Sequence, residues 1–132
     1  MIETVCGPDG TVLAYFVTVR AMPDQTRFLT PGECNLQVGQ VVYRAGGEIA
    51  RHVHLPLERH IIGTTEVLLV QQGRCEVDVF TQDRQLVTTR ELADGDMVIA
   101  VAGGHGFRVL EDLVLLEIKQ GPYPGGAEKE RF

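Results

Sequence analysis

The sequence predicts an all-β fold, either a sandwich or a barrel. Apolar and polar residues alternate with a period of two along most of the chain, which is typical of strands. Turn signals rich in Gly, Pro and Asp separate these segments at intervals of roughly 8–12 residues, as in sandwiches and barrels. No window of helical length has a convincing apolar face at positions i, i+3, i+4 and i+7.

The predicted strands follow one another in chain order. They are Thr11–Arg20, Leu36–Arg44, Glu48–His54, Glu66–Gln72, Arg74–Phe80, Leu86–Leu92, Met97–Ala102, Phe107–Leu110 and Leu113–Lys119. Each is rich in β-branched or aromatic residues or alternates cleanly, and glycine-containing turns end several of them. The Gly103–Gly106 run is expected to break the chain between two strands. On the last strand, Glu117 and Lys119 share one face and are either exposed or inward polar groups. The opposite face, with Val114, Leu116 and Ile118, looks more suited to the core, so exposure of Glu117 and Lys119 is favoured.

Length and composition predict one globular domain spanning residues 1–132. The chain has 132 residues, of which 44% are hydrophobic and 23% charged, and this composition argues against disorder. A net charge of −6 without a basic cluster argues against a nucleic-acid or anionic-membrane partner. Without an apolar run long enough to span a bilayer or a signal peptide, the expected location is the cytoplasm. Cys6, Cys34 and Cys75 are expected to be unpaired, mostly buried thiols.

The histidines are unevenly distributed. Three of the four lie between positions 52 and 60. On a strand, residues i and i+2 face the same side, so His52 and His54 would project together and could bind one ion. Glu66 and His105 are candidates for the remaining ligands. Three imidazoles and a carboxylate suit Fe, Mn, Ni, Co, Cu or Zn, with one or two positions open for water or substrate.

These residues resemble the two sequence motifs of the cupin superfamily. Gly47 is followed after four residues by the His52–His54 pair, and Glu66 is followed after six residues by Gly73. Gly95–Asp96 then begins a β-stretch that reaches His105, as in the second cupin motif. The resemblance covers about Leu36 to Lys119. Eleven residues separate His54 from Glu66, which is longer than the usual spacing.

The spacing from His54 also fits Glu58, so Glu58 competes with Glu66 for the carboxylate position. Glu66 is preferred, because it alone has the six-residue spacing to a glycine across an apolar strand. Glu58 is then expected to be a solvated loop carboxylate. His60 would be a loop or rim residue.

The resemblance implies a double-stranded β-helix, a jelly-roll-like β-barrel with the metal inside near one mouth. It also implies a homodimer, to which residues 1–35 could contribute a strand that covers an exposed edge. Residues 121–132 are expected to form an extended terminal arm, frayed or docked on a neighbour. The candidate substrate-pocket residues are Gln37, Tyr43, Arg51, His60 and Phe107.

Three functions compete at this point. The first is a metal-dependent enzyme acting on a small molecule, either a dioxygenase or a Lewis-acid isomerase, lyase or hydrolase. The second is a non-catalytic module that binds a metal or a carbohydrate-like ligand. The third is a metal-free sugar-nucleotide epimerase or isomerase, in which His52 or His54 and Tyr43 act as base and acid. The ligand pattern favours the first.

Overall fold

The computed structural model describes residues 1–18 and 22–132 and divides the chain into two compact units. The larger unit comprises residues 1–21 and 63–132, and the smaller one residues 22–62. The strands are β1 (Ile2–Cys6), β2 (Val12–Val17), β3 (Arg27–Phe28), β4 (Gly39–Gln40), β5 (Glu66–Gln72), β6 (Cys75–Phe80), β7 (Leu86–Leu92), β8 (Met97–Ala100), β9 (Gly104–Val109) and β10 (Val114–Lys119). A 3₁₀ helix follows at Gly125–Glu128.

The larger unit contains two antiparallel sheets. The five-stranded sheet has the order β1-β2-β8-β5-β10, and the three-stranded sheet has the order β7-β6-β9. The all-β prediction is therefore confirmed, whereas the predicted double-stranded β-helix stays a prediction and no closed barrel is observed. Among the strands of the described residues, no ladder joins β1 or β10 to β7 or β9, so both sheets are open.

An apolar core joins these two sheets. Alternating residues of the central strands point into it, as the period-two pattern predicts. The buried members are Val5, Leu13, Ala14, Phe16, Leu68, Val70, Cys75, Val77, Val79, Leu92 and Val98. Cys75 is completely buried here, as expected, whereas Cys6 is exposed, contrary to the expectation of a mostly buried thiol. Burial raises the pKa of the Cys75 thiol.

Strand β10 presents the opposite face from the one predicted. Val114, Leu116 and Ile118 are each more than two-fifths exposed, whereas Leu115 packs against the core. By the same alternation, Glu117 and Lys119 lie on the inner face with Leu115. The favoured orientation was wrong. Strand β10 is an edge strand, and its inward Lys119 has a polar partner in Glu128.

The smaller unit contains little regular structure. Only Gly39–Gln40 of the predicted strand Leu36–Arg44 is extended in a ladder, and it pairs with β3. The predicted strand Glu48–His54 is absent, since residues 41–62 contain no strand. An alternating sequence becomes a strand only where another strand accepts its backbone hydrogen bonds, and the described residues offer none to this segment.

The first two strands of the larger unit lie in the segment that was predicted to contribute a strand to a dimer. Strands β1 and β2 pair with each other along Ile2–Val17, so these residues belong to the five-stranded sheet of their own chain. The contribution of residues 1–35 to a dimer stays a prediction. Val19 and Arg20 of the predicted first strand lie outside the described residues.

No helix among the described residues has the length and apolar character needed to span a bilayer.

Two turns of the larger unit require glycine, because of a positive φ and a close approach to the backbone. Gly73 has φ +94°, and a Cβ atom there would lie 2.1 Å from the Asp112 carbonyl oxygen. Gly103 has φ +68°, and its Cβ would lie 2.2 Å from the Phe80 carbonyl oxygen. No L side chain fits either place, so these turns, and the strands β6 and β9 that follow them, depend on glycine.

Candidate functional site

Glu66 and His105 join the two sheets of the larger unit. Glu66 begins β5, on the same face as the buried Leu68 and Val70, and its side chain is 12% exposed. His105 lies on β9 opposite Val79 of β6 and is 30% exposed. Its Nε2 atom lies 2.9 Å from Glu66 Oε2. Two of the four predicted metal ligands are therefore in direct contact, although they are 39 residues apart in sequence.

The position of His105 differs from the prediction in one respect. It was expected at a glycine-rich break, but β9 begins at Gly104 and includes both His105 and Gly106. A strand position fixes the direction of the imidazole, which shares its face with Phe107. The ring centroids of His105 and Phe107 are 5.8 Å apart in an edge-to-face arrangement, and Phe107 packs against the core.

The carboxyl of Glu66 is held in its charged form. The hydrogen bond from His105 is the main reason that its pKa falls to about 2, against the opposing effect of burial. Glu117 lies diagonally across the β5–β10 ladder from Glu66. The interaction with the Glu66 carboxyl, followed by burial, raises the pKa of Glu117. The two carboxyls thus differ in their affinity for a proton, as carboxyls with distinct roles do in enzyme sites.

A lysine completes the polar cluster on the inner face of β10. Lys119 is directly opposite Glu66 in the ladder and is 19% exposed. Its Nζ atom lies 2.8 Å from Oε1 of Glu128, which is 13% exposed, and this hydrogen bond raises the pKa of Lys119. We define Glu66, His105, Glu117, Lys119 and Glu128 as the end cluster.

Three members of the end cluster were not predicted as site residues. Glu117 and Lys119 were expected to face solvent, and Glu128 lies in the predicted arm. A signal was present in the sequence, since Leu115, Glu117 and Lys119 share one face and Leu115 is apolar. The equally apolar Val114, Leu116 and Ile118 outweighed it.

His52 and His54 lie in the smaller unit. Their rings are adjacent, with centroids 5.2 Å apart and an angle of 71° between the planes. His52 Nδ1 also lies 2.9 Å from the carbonyl oxygen of Ala50. The two imidazoles thus neighbour each other as predicted, although no strand is present. Both residues are exposed.

Most of the pocket candidates also belong to the smaller unit and are exposed. The Gln37 amide donates to the carbonyl oxygens of Pro31, Gly32 and Cys34, which stabilises its own loop. Tyr43 and Arg51 are exposed. Glu58 and His60, with Arg59, line an open surface concavity. Phe107 lies beside the predicted ligand His105.

The described residues do not form a complete metal-binding site. In residues 1–18 and 22–132, no three His, Cys, Asp or Glu side chains form a group that could hold an ion. The Glu66–His105 pair and the His52–His54 pair are therefore the two partial arrangements, one in each unit. Comparison with known protein families, curated proteins and solved structures finds no match.

Proposed function

We propose that this chain is a small metal-dependent protein of the cupin type that acts on a small molecule. In this proposal, the two open sheets belong to a double-stranded β-helix, and Glu66 and His105 form the inner half of a mononuclear metal site. The observation that carries it is the 2.9 Å contact between Glu66 Oε2 and His105 Nε2, which joins the sheets at a partly buried position.

The two side chains suit a divalent transition metal. Carboxylate oxygen and imidazole nitrogen bind such ions at about 2.0–2.2 Å, so donor atoms in adjacent positions are about 3 Å apart. The observed separation of Glu66 Oε2 and His105 Nε2 is of that size. A carboxyl with a pKa of about 2 is also already deprotonated at neutral pH, as ligation requires.

The remaining ligands in this proposal are His52 and His54. Their rings are close to each other and exposed, so both can bind without displacing core residues. The sequence resemblance supports their membership of the same site. We further propose a cytoplasmic homodimer. Glu58 stays the alternative carboxylate, and its position in a surface concavity favours Glu66 instead.

The ion would supply either Lewis acidity or oxygen chemistry, depending on its identity. The residues of the chain have separate tasks. Glu66 holds negative charge at the site, and Glu117 is positioned against it with a raised pKa, so it can hold a proton there. The Phe107 ring contacts the His105 ring edge-to-face and packs against the core, which helps to orient the imidazole.

A metal-free function is favoured by the same contact. An imidazole that hydrogen-bonds to a buried carboxylate is oriented for proton transfer, so His105 could act as a general base with Glu66 as its orienting partner. This function replaces the sequence prediction that paired His52 or His54 with the exposed Tyr43. A non-catalytic binding module remains the third proposal, and ligand-dependent thermal stabilisation without turnover would identify it.

Metal analysis separates these functions. The apo protein is exposed in turn to Fe(II), Mn(II), Ni(II), Co(II), Cu(II) and Zn(II), and the bound metal is measured by mass spectrometry. The parent should hold about one ion per chain, and His105→Ala and Glu66→Gln should each lose it. His52→Ala and His54→Ala should also lose it if all four residues share the ion.

His60→Ala is the matched control, because His60 is an exposed histidine that we exclude from the site. It should bind as much metal as the parent. A parent that takes up none of the six ions would refute the metal site and favour the acid–base function. Unchanged uptake in His105→Ala would refute the role of His105 as a ligand.

A further inference from the structure

Strand β10 forms one edge of the five-stranded sheet. It pairs with β5 on one side, and within residues 1–18 and 22–132 no strand pairs with its other side. Val114, Leu116 and Ile118 form an exposed row on its outer face. Free edges of natural sheets are usually protected by charged residues or proline. A row of exposed apolar side chains is instead typical of an edge that a partner covers.

The opposite edge of the same sheet has a different character. It is formed by β1, whose Glu3 carboxylate lies 2.6 Å from the Arg90 guanidinium of β7. This ion pair connects β1 to the three-stranded sheet of its own chain. The outer face of β1 also includes the polar and exposed Thr4. An intermolecular contact is therefore better supported at β10 than at β1.

The apolar surface of β10 continues onto the neighbouring strand. Leu116 is opposite Leu69 of β5, and Ile118 is opposite Val67. Val67 is buried, and Leu69 is partly buried. A strand added beside β10 would therefore extend an apolar layer that its own sheet has begun, and it would bury the exposed parts of Leu116 and Ile118.

The sequence of β10 matches a second copy of itself in one register. Two-fold symmetry places two copies of a strand antiparallel, with one residue opposite its own copy. If that residue is Ile118, Glu117 of each copy is opposite the partner's Lys119, and opposite charges meet on the inner face. Moving the axis to Glu117 or to Lys119 would place like charges opposite each other. Moving it to Leu116 would place Glu117 opposite the partner's Leu115. Charge complementarity therefore selects Ile118.

The ladder in this register has a defined end. Leu116 is opposite the partner's Gln120, and the next residues of the partner are Gly121 and Pro122. Proline has no amide hydrogen, so it cannot extend a ladder. The paired segment is thus residues 116–120 of each copy, with Ile118 at its centre and Leu116 diagonal to it.

The two charged side chains can form the new ion pairs without losing their present contacts. Glu117 is 47% exposed, so its carboxylate is accessible from the open edge. Lys119 Nζ donates to Glu128 at 2.8 Å and lies 4.0 Å from Oε2 of its own Glu117. An ammonium group has three donors, so Lys119 can keep Glu128 and also donate to a carboxylate of a second copy.

We propose that β10 pairs with β10 of a second copy around a two-fold axis at Ile118, so that the two five-stranded sheets become one continuous sheet. The inference names the interface of the homodimer given above and rests on the proposed function only for what Glu66 binds. In this dimer, the partner's Lys119 lies beside Glu117, which is itself next to Glu66. Each copy thus adds a positive charge near the end cluster of the other.

Analytical ultracentrifugation of the metal-free full chain tests the interface. The parent should be a dimer. Ile118→Lys places two ammonium groups opposite each other at the axis and should raise the dimer dissociation constant by at least about a hundredfold. Val109→Lys is the matched control, because Val109 is an exposed valine of another edge strand, β9. It should dissociate as the parent does. A monomeric parent, or an unchanged dissociation constant in Ile118→Lys, overturns the proposal.

Disulfide formation tests the register and does not depend on the folding of Ile118→Lys. The background is Cys6→Ser with Cys34→Ser, which keeps the buried Cys75. Ile118→Cys places two thiols on directly opposite residues, about 4.5–5.5 Å apart, so oxidation should give a covalent dimer on a non-reducing gel. The two copies of Leu116→Cys, the control, are offset by about 14 Å along the strands and should stay unlinked. No covalent dimer from Ile118→Cys, or an equal yield from both variants, overturns the proposal.

The outcomes for the interface and for the metal site are distinguishable. A dimeric parent that dissociates in Ile118→Lys but binds none of the six metals supports the interface and refutes the proposed metal function. A parent that binds one ion per chain and stays monomeric refutes the interface and the homodimer, and leaves the metal site standing.

Discussion

The segment between residues 66 and 119 and the segment between residues 41 and 62 have similar alternating sequences but different structures. The first forms six strands in two sheets. The second forms none and exposes large apolar side chains, including Val53, Leu55 and Leu57. The pattern is thus not sufficient for a strand. Strands β5 to β10 pair with neighbours, whereas Gly46, Gly47 and Pro56 interrupt the other segment and limit the ladder it could offer.

Hydrogen exchange gives the largest expected difference between the two segments. Amides of β6 and β8, which have ladder partners on both sides, should exchange at least about a thousandfold more slowly than amides of residues 48–54. The measurement is exchange followed by mass spectrometry of overlapping peptides. Strong protection of residues 48–54 would break the comparison, because it would show that this segment pairs with another strand in solution.

Side-chain truncation tests the same contrast in the stability of the protein. Leu92→Ala removes a fully buried side chain and should lower the free energy of unfolding by about 2–5 kcal/mol. Leu57→Ala, the matched control in the exposed segment, should change it by less than about 0.5 kcal/mol. Denaturant unfolding measures both. A similar loss in the two variants would mean that Leu57 is covered in solution, in conflict with its exposure here.

The acid dependence of stability gives the smallest expected effect and concerns the end cluster. The pKa of Glu66 is lowered in the folded state, so its contribution is complete above its ordinary pKa of 4.5 and is lost as the pH falls towards about 2. Glu66→Gln should remove this dependence and lower stability at pH 7 by about 2 kcal/mol. Glu58→Gln, an exposed carboxyl of the other segment, is the control and should behave as the parent.

Ionisation of Glu117 should change the stability of the protein in the opposite direction in the same experiment. Its raised pKa means that ionisation above pH 4.5 costs stability in the folded state. Glu117→Gln should therefore raise stability at pH 7, by less than about 1 kcal/mol because this side chain is half exposed and solvent screens it. A loss of stability in this variant would contradict the assigned contact with Glu66.

The strands of the larger unit were the most predictable part of the fold. The predicted bounds Glu66–Gln72 and Leu86–Leu92 are those observed, because alternation and flanking turns agree with the local pairing. The ends of β9 were less predictable. Gly104 and Gly106 look like strand breakers in sequence, but the absence of a side chain at Gly104 is what admits Phe132.

The candidate site could be predicted from the sequence only in part. Glu66 and His105 could be identified from residue type and spacing, and their contact follows from the packing of the two sheets. The inward direction of Lys119 was not predicted, because the apolar Val114, Leu116 and Ile118 outweighed Leu115 in the choice of the inner face. Its partner Glu128 has no local sequence pattern that identifies it. A ligand set shared by His52 and His54 remains a proposal from sequence.

The backbone contacts at Gly73 and Gly103 have an evolutionary consequence. Any other residue would collide with a main-chain carbonyl at these positions, and no neighbouring side-chain change can relieve a clash with the backbone. Gly10 and Gly95 also have positive φ but face open space, so asparagine could replace them over time. In divergent descendants of this sequence, Gly73 and Gly103 should be retained even after Glu66 and His105 have changed. Each glycine could then be used to align the strand that precedes it.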